Sequence, residues 1–308
     1  MHARWRVQCS QRPDAVADHG LDWAWEGGSW PLRDSSRFVD AGGLRWHVQQ
    51  LGAGPALLLI HGAGSSAHSW HRLAPLLAAN FRVTAFDLPG HGFTRGQPPH
   101  GLSLAGMSGA VGTLLQALSI RPLLAVGHSA GAAIAARMVL DGQFAPRALI
   151  SVNGALLPFD RYPDLMFAPL ARLLASLPFA PSLFCWHARD RAAVERLIAS
   201  TGSRLEREDV DLYWRLVRSP RHIAGVLQMM AQWDLGKLKQ QLPQLPVPLV
   251  QLVGANDRTV PPSAAQRVRA LLPAASVVTL PQLGHLAHEE RPDLVALAIG
   301  GALEALHA

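Results

Sequence analysis

One pentapeptide constrains this chain more than any other feature: Gly127-His128-Ser129-Ala130-Gly131. It follows an apolar run ending at Val126 and opens a helix-like segment, Ala130 to Leu140. Between a strand and a helix, the two glycines permit a sharp turn and close packing that push the Ser129 hydroxyl out at the carboxyl end of a sheet. The helix N-terminus beside it offers backbone N–H groups and a partial positive charge to an oxyanion. A serine so placed is expected to be a nucleophile. It then needs a base, and the base needs an orienting group.

The surrounding pattern agrees with that turn. Apolar runs at Ala56 to Ile60, Val83 to Phe86, Leu123 to Val126, Ala148 to Val152, Leu249 to Val253 and Ser276 to Leu280 read as strands. Helical segments alternate with them, at about Ser66 to Ala78, Leu102 to Leu118, Ala130 to Leu140, Ser263 to Leu272 and Pro292 to Leu306. Unbroken apolar strands separated by helices predict an α/β fold with a mostly parallel sheet covered on both faces. Ahead of them, Phe38-Val39 and Leu44 to Val48 flank Ala41-Gly42-Gly43, a hairpin signal.

The base and acid follow from chain order. Asp257 comes just after the run Leu249 to Val253, and His285 just after Ser276 to Leu280. The rival acid position, after Ala148 to Val152, holds Asn153, which cannot offset an imidazolium by charge. His288 is a rival base, but Gly284 immediately before His285 suits a loop placement better. A metal on His285 and His288 lacks further ligands, so neither metal nor cofactor is expected.

Composition removes other classes. Net charge is +6, yet the basic residues are scattered and carry no nucleic-acid motif. Cys9 and Cys185 form neither a disulfide framework nor a metal knuckle, so a cytoplasmic setting is expected. No signal-like apolar stretch and no membrane-spanning run is seen. The first segment carries Trp5, Trp23, Trp25 and Trp30 without periodicity and reads as an extended arm. Its tryptophans, with Arg4, Arg6 and Arg12, leave peripheral membrane contact open, the alternative being an arm that packs on the body of the protein.

Between Gly154 and Pro246 the alternation stops and a proline-punctuated helical stretch takes over. The expected organisation is an arm over 1–35, a core over 36–153 and 247–308, and a helical lid over 154–246. Phe159, Met166, Trp186, Met230 and Trp233 of the lid are expected either to pack the lid's own core and its base or to line an apolar pocket above Ser129, where His61, Gly62 and His128 also lie. His187 and His222 are candidate ligands for a porphyrin metal.

Taken together, the His61-Gly62 loop, Asp87-Leu88-Pro89-Gly90-His91-Gly92, the Ser129 elbow, the Asp257 loop and the His285 loop resemble the α/β-hydrolase superfamily from Arg37 onward. That resemblance implies an oxyanion hole from the N–H groups of Ala63 and Ala130. Serine at 129 sets the chain apart from the superfamily's dehalogenases and epoxide hydrolases, which use Asp there. Asn153 to Phe159, Met229 to Leu235 and Trp30 to Gln49 are similar to the magnesium-chelatase accessory family (BchO) of bacteriochlorophyll-making phototrophs. This implies a tetrapyrrole-related substrate and magnesium chelatase subunits as partners, with a non-catalytic porphyrin-presenting role as the alternative to hydrolysis.

Overall fold

The structure, a computed structural model, describes residues 21–158, 177, 179–187 and 190–305. The strands are β1 (Ser36–Ala41), β2 (Leu44–Leu51), β3 (Ala56–Ile60), β4 (Arg82–Phe86), β5 (Leu124–His128), β6 (Ala148–Val152), β7 (Leu249–Gly254) and β8 (Ser276–Leu280). They form one sheet in the order β1-β2-β4-β3-β5-β6-β7-β8. Only the pairs β1·β2 and β2·β4 are antiparallel. Ala41 pairs with Leu44 across a two-residue turn in which Gly42 (φ 59°) and Gly43 (φ 76°) are both left-handed, the backbone that matches the twist of a hairpin.

The helices of the core are α2 (Leu73–Leu77), α3 (Leu104–Ala117), α4 (Ala130–Leu140), α10 (Ser263–Leu271), α11 (Ala287–Glu290) and α12 (Pro292–Ala305), with α1 (Trp23–Glu26) ahead of the sheet. Side chains alternate along each strand, so one run feeds two cores. Leu58 and Ile60 join the cluster under α3 and α4, whereas Leu57 and Leu59 join the one holding Trp70 and Val295 and Ile299 of α12. A strand buried on both faces must be apolar throughout, which explains the unbroken runs.

The helix expected over Ser66 to Ala78 is divided. Ala67–Trp70 winds as a 3-10 turn and α2 begins only at Leu73. A continuous helix would put Pro75 in its interior, where the ring clashes with the carbonyl four residues back; starting at Leu73 keeps Pro75 in the first turn.

Between β6 and β7 the described residues carry α5 (Ala180–His187), α6 (Arg191–Ser200), α7 (Arg207–Val217), α8 (Pro220–Gln232) and α9 (Gly236–Gln241). Met229, Leu235 and Leu238 belong to the main core, with Trp233 packed against it, so this end of the insertion is anchored to the sheet layer. Among the described residues no helix is long and apolar enough to cross a membrane.

Residues 21–35 differ from the extended arm expected. Asp22 caps α1 by accepting the Ala24 N–H at 2.9 Å. Leu21 and Trp30 are buried with Phe93, Val210 and Leu216. Arg215 of α7 donates to the Glu26 carboxylate at 2.6 Å and stacks over the Trp30 ring. The cause is hydrophobic: Trp23 and Trp30 find an aromatic nest of Phe38, Phe93, His47 and His68. Of the described tryptophans there, Trp25 alone is strongly exposed, at 83%. A chain shortened to begin at Arg33 is therefore expected to lose roughly 3–5 kcal/mol of stability, by the burial of Leu21 and Trp30. Urea denaturation measures this, and an unchanged midpoint would refute the packing account.

Candidate active site

Ser129 sits at φ 50°, ψ −118°, a backbone conformation that costs a residue with a side chain about 1–3 kcal/mol. Its neighbours make the turn obligatory. A Cβ on Gly127 would lie 2.5 Å from the Ala132 Cα, and one on Gly131 would lie 2.1 Å from the Ile60 carbonyl oxygen. The Ser129 N–H donates to the Val152 carbonyl (3.1 Å), while its own carbonyl accepts from Ala132 and Ala155 (3.1 Å each). The strained residue is thus pinned to both β6 and α4.

The acid and base candidates meet across the sheet's carboxyl end. Asp257 Oδ1 accepts the N–H groups of Thr259 (2.8 Å) and Val260 (2.9 Å), which leaves Oδ2 to accept from His285 Nδ1 at 2.8 Å. That bond puts the ring proton on Nδ1 and leaves Nε2 as the proton acceptor. Asp257 and His285 are buried and Ser129 is half-buried. Ser129 Oγ and His285 Nε2 make no hydrogen bond to each other or to any other described residue. A hydroxyl rotates freely, and such links tighten when substrate arrives.

The oxyanion candidates differ from ordinary backbone. Neither the Ala63 N–H nor the Ala130 N–H meets an acceptor among the described residues. Ala63 lies in a turn closed by the Ser65 N–H on the Gly62 carbonyl (3.3 Å), with Gly64 at φ 78°. A Cβ on Gly62 would come within 3.0 Å of the Ser129 Cβ, so this turn abuts the elbow and Gly62, its first residue, has no room for a side chain.

Several residues play parts the sequence did not assign. Asn153, set aside as a failed acid, bridges the two loops: Nδ2 donates to the carbonyls of Gly284 (2.9 Å) and His285 (2.8 Å), and Oδ1 accepts from Gly254 N–H (2.7 Å). Its φ of 47° is one that asparagine tolerates, the one local signal that was available. His61 and His128 are buried and bonded to main chain. His61 Nε2 accepts the Leu88 N–H (2.9 Å) and Nδ1 donates to the Gly62 carbonyl (2.7 Å), whereas His128 Nε2 donates to the His285 carbonyl (2.9 Å). Both rings are fully buried, and burial is the main reason their pKa values fall, that of His61 to about 3. His288 stacks between Trp70 and His128 and is likewise pulled to about 3, chiefly by burial. Trp233 packs on the core rather than standing free over Ser129, and Met230 is half-buried. Phe159, Met166 and the Trp186 side chain lie outside the described residues. Among the described residues no group of His, Cys, Asp or Glu is arranged to hold a metal.

Asp87 is a structural carboxylate. Oδ1 accepts from Ala67 N–H (2.8 Å), and Oδ2 accepts from Phe93 N–H (2.7 Å) and faces His47 Nδ1 (3.0 Å). Burial alone would raise its pKa, but the His47 ring and these N–H groups outweigh burial and hold it below the usual carboxylate range.

A strained serine elbow, a buried Asp–His pair and two free N–H groups at the carboxyl end of a mostly parallel sheet define a class. The family model of the alpha/beta hydrolase fold matches residues 55–292, and the chain belongs to that family. Within it the chain is similar to the magnesium-chelatase 30 kDa subunit of Rhodobacter capsulatus, with 36% identity over 267 residues covering 86% of this chain and 93% of that one. It is also similar to the pimeloyl-acyl-carrier-protein methyl ester esterase of Vibrio vulnificus, at 30% over 261 residues covering 81% and 94%. A solved α/β-hydrolase-fold protein from Burkholderia ambifaria matches with a TM-score of 0.73 at 24% identity, covering 92% and 99%.

Proposed function

We propose that this protein is a serine hydrolase cleaving an ester, or an activated C–C bond, of an apolar tetrapyrrole-related substrate in bacteriochlorophyll biosynthesis. The observation that carries the reading is the 2.8 Å Asp257–His285 bond, made beside a strained Ser129. In the first step Ser129 Oγ attacks the carbonyl carbon as His285 Nε2 takes its proton. The Ala63 and Ala130 N–H groups bind the oxygen that becomes negative. Collapse breaks the ester C–O bond, and His285 returns the proton to the departing alcohol. Water, deprotonated by His285, then attacks the acyl carbon; the bond to Ser129 Oγ breaks and His285 returns the proton to Oγ. No cofactor enters these steps.

The apolar substrate class draws on the similarity to the chelatase subunit and on the apolar lid, where Phe179, Leu183 and Phe184 are exposed. The same similarity favours a second reading, an accessory protein that presents a porphyrin to magnesium chelatase subunits, soluble or peripheral to the photosynthetic membrane. Complementation of a deletion strain decides between them. Wild type restoring pigment where Ser129→Ala does not supports hydrolysis; equal restoration overturns it in favour of the accessory role.

A further inference from the structure

Two side chains of the inserted helices end on the turn that carries Ala63. The first is His222 on α8, which is 1% exposed. Its Nδ1 accepts the Gly92 N–H at 3.1 Å and its Nε2 donates to the Gly64 carbonyl at 3.2 Å, so both ring nitrogens are committed to main chain. That leaves none for a porphyrin metal. A ring that accepts at one nitrogen and donates at the other must be neutral. Burial, followed by the nearby His91, takes the His222 pKa to about 3. α8 reaches this point because Gly225 meets Gly90 backbone to backbone: a Cβ at 225 would lie 2.0 Å from the Gly90 carbonyl oxygen.

The second is Tyr213 on α7. Its hydroxyl donates to Glu289 Oε1 at 2.7 Å, on α11 just after the His285 loop. It also lies 3.2 Å from Ser65 Oγ, so the Ser65 hydroxyl donates to it. Gly64 and Ser65, the two residues after Ala63, are therefore both held by the insertion.

We infer that His222, supported by Tyr213, is a positioning residue for the oxyanion site, and that α7 and α8 are a fixed part of it rather than a cover over it. The inference rests on the reading of Ser129 as nucleophile. Its physical basis is geometric: an N–H donor stabilises a developing oxyanion only when aimed at where that oxygen forms, and small misplacements are expensive. Without the His222 bond to Gly64, the turn from Gly62 to Ser65 can rock about Ala63 and the donor loses its aim.

The test compares wild type, His222→Ala, His222→Gln and Tyr213→Phe. Two readouts are used: the rate of Ser129 labelling by a fluorophosphonate, and kcat and KM for p-nitrophenyl acetate and p-nitrophenyl decanoate. His222→Ala is expected to slow labelling and to lower kcat for both esters by roughly 10- to 100-fold, with KM nearly unchanged. His222→Gln, which keeps a donor near the Nε2 position, should recover most of that loss. Tyr213→Phe, which keeps the ring in place, should lower both rates by roughly 3- to 10-fold. If His222→Ala fails to fold, Tyr213→Phe decides. Labelling and kcat within twofold of wild type in His222→Ala or, where that variant does not fold, in Tyr213→Phe, or a loss confined to KM of the decanoate, would overturn the inference while leaving the serine hydrolase reading intact. A folded wild type that is not labelled overturns both.

Discussion

Ser129→Ala is expected to lower kcat for p-nitrophenyl butyrate on the order of 10⁶-fold, the loss seen when a triad serine is removed, with KM little changed. His285→Ala should cost about as much and the double variant hardly more, because nucleophile and base act as one unit. Asp257→Asn should cost less, roughly 10³- to 10⁴-fold, and the structure explains how. Oδ1 of Asp257 accepts two backbone N–H groups, from Thr259 and Val260. In the Asn variant the amide oxygen must stay there, so the NH₂ group is turned toward His285 Nδ1. The ring then accepts at Nδ1 and carries its proton on Nε2, where it cannot receive the serine proton. Steady-state kinetics across the four variants test this. A fully active Ser129→Ala would end the nucleophile assignment, and a fully active Asp257→Asn would end the acid assignment.

The protein is also expected to unfold steeply in mild acid. His61, His68, His91, His128, His222 and His288 are fully buried, and burial is the largest cause lowering each pKa, to about 3 for His61, His222 and His288. Because the folded values are depressed, the unfolded chain takes up these protons first. Their contribution is whole above pH 6.5 and drains away as pH falls from there toward the folded values. Each group costs about 1.4 kcal/mol per pH unit in that window. Glu289 opposes them, since burial raises its carboxyl pKa. At pH 5.5 His61, His222 and His288 together cost about 4 kcal/mol, against a total stability of about 5–15 kcal/mol for an ordinary domain. Two of the rings could not be protonated in place even so, since His61 and His222 each accept a main-chain N–H. Urea midpoints followed by tryptophan fluorescence from pH 7.5 to 5.0 should fall sharply. A flat profile would contradict the buried neutral rings.

Short-range pattern determined a good deal. The apolar runs and intervening helices sufficed for a mostly parallel sheet, because a strand buried on both faces has no other composition open to it. The glycines at 127 and 131 sufficed for the elbow, because no side chain fits beside Ala132 or the Ile60 carbonyl. Asp257 and His285 were legible as a pair because each follows its own strand, and the structure joins them at 2.8 Å. Tertiary structure decided what each remaining polar side chain does. Asn153, His61, His128 and His222 look like site or ligand candidates along the chain, yet the hydrogen bonds their side chains make all go to main chain, and for all but His61 every such partner is more than 100 residues away. Trp30, in an arm open to membrane contact or to packing on the body, and Trp233, open to core packing or to a pocket wall, are both packed against the body. A buried polar atom takes whichever partner the fold brings within about 3 Å, and no local spacing encodes that meeting.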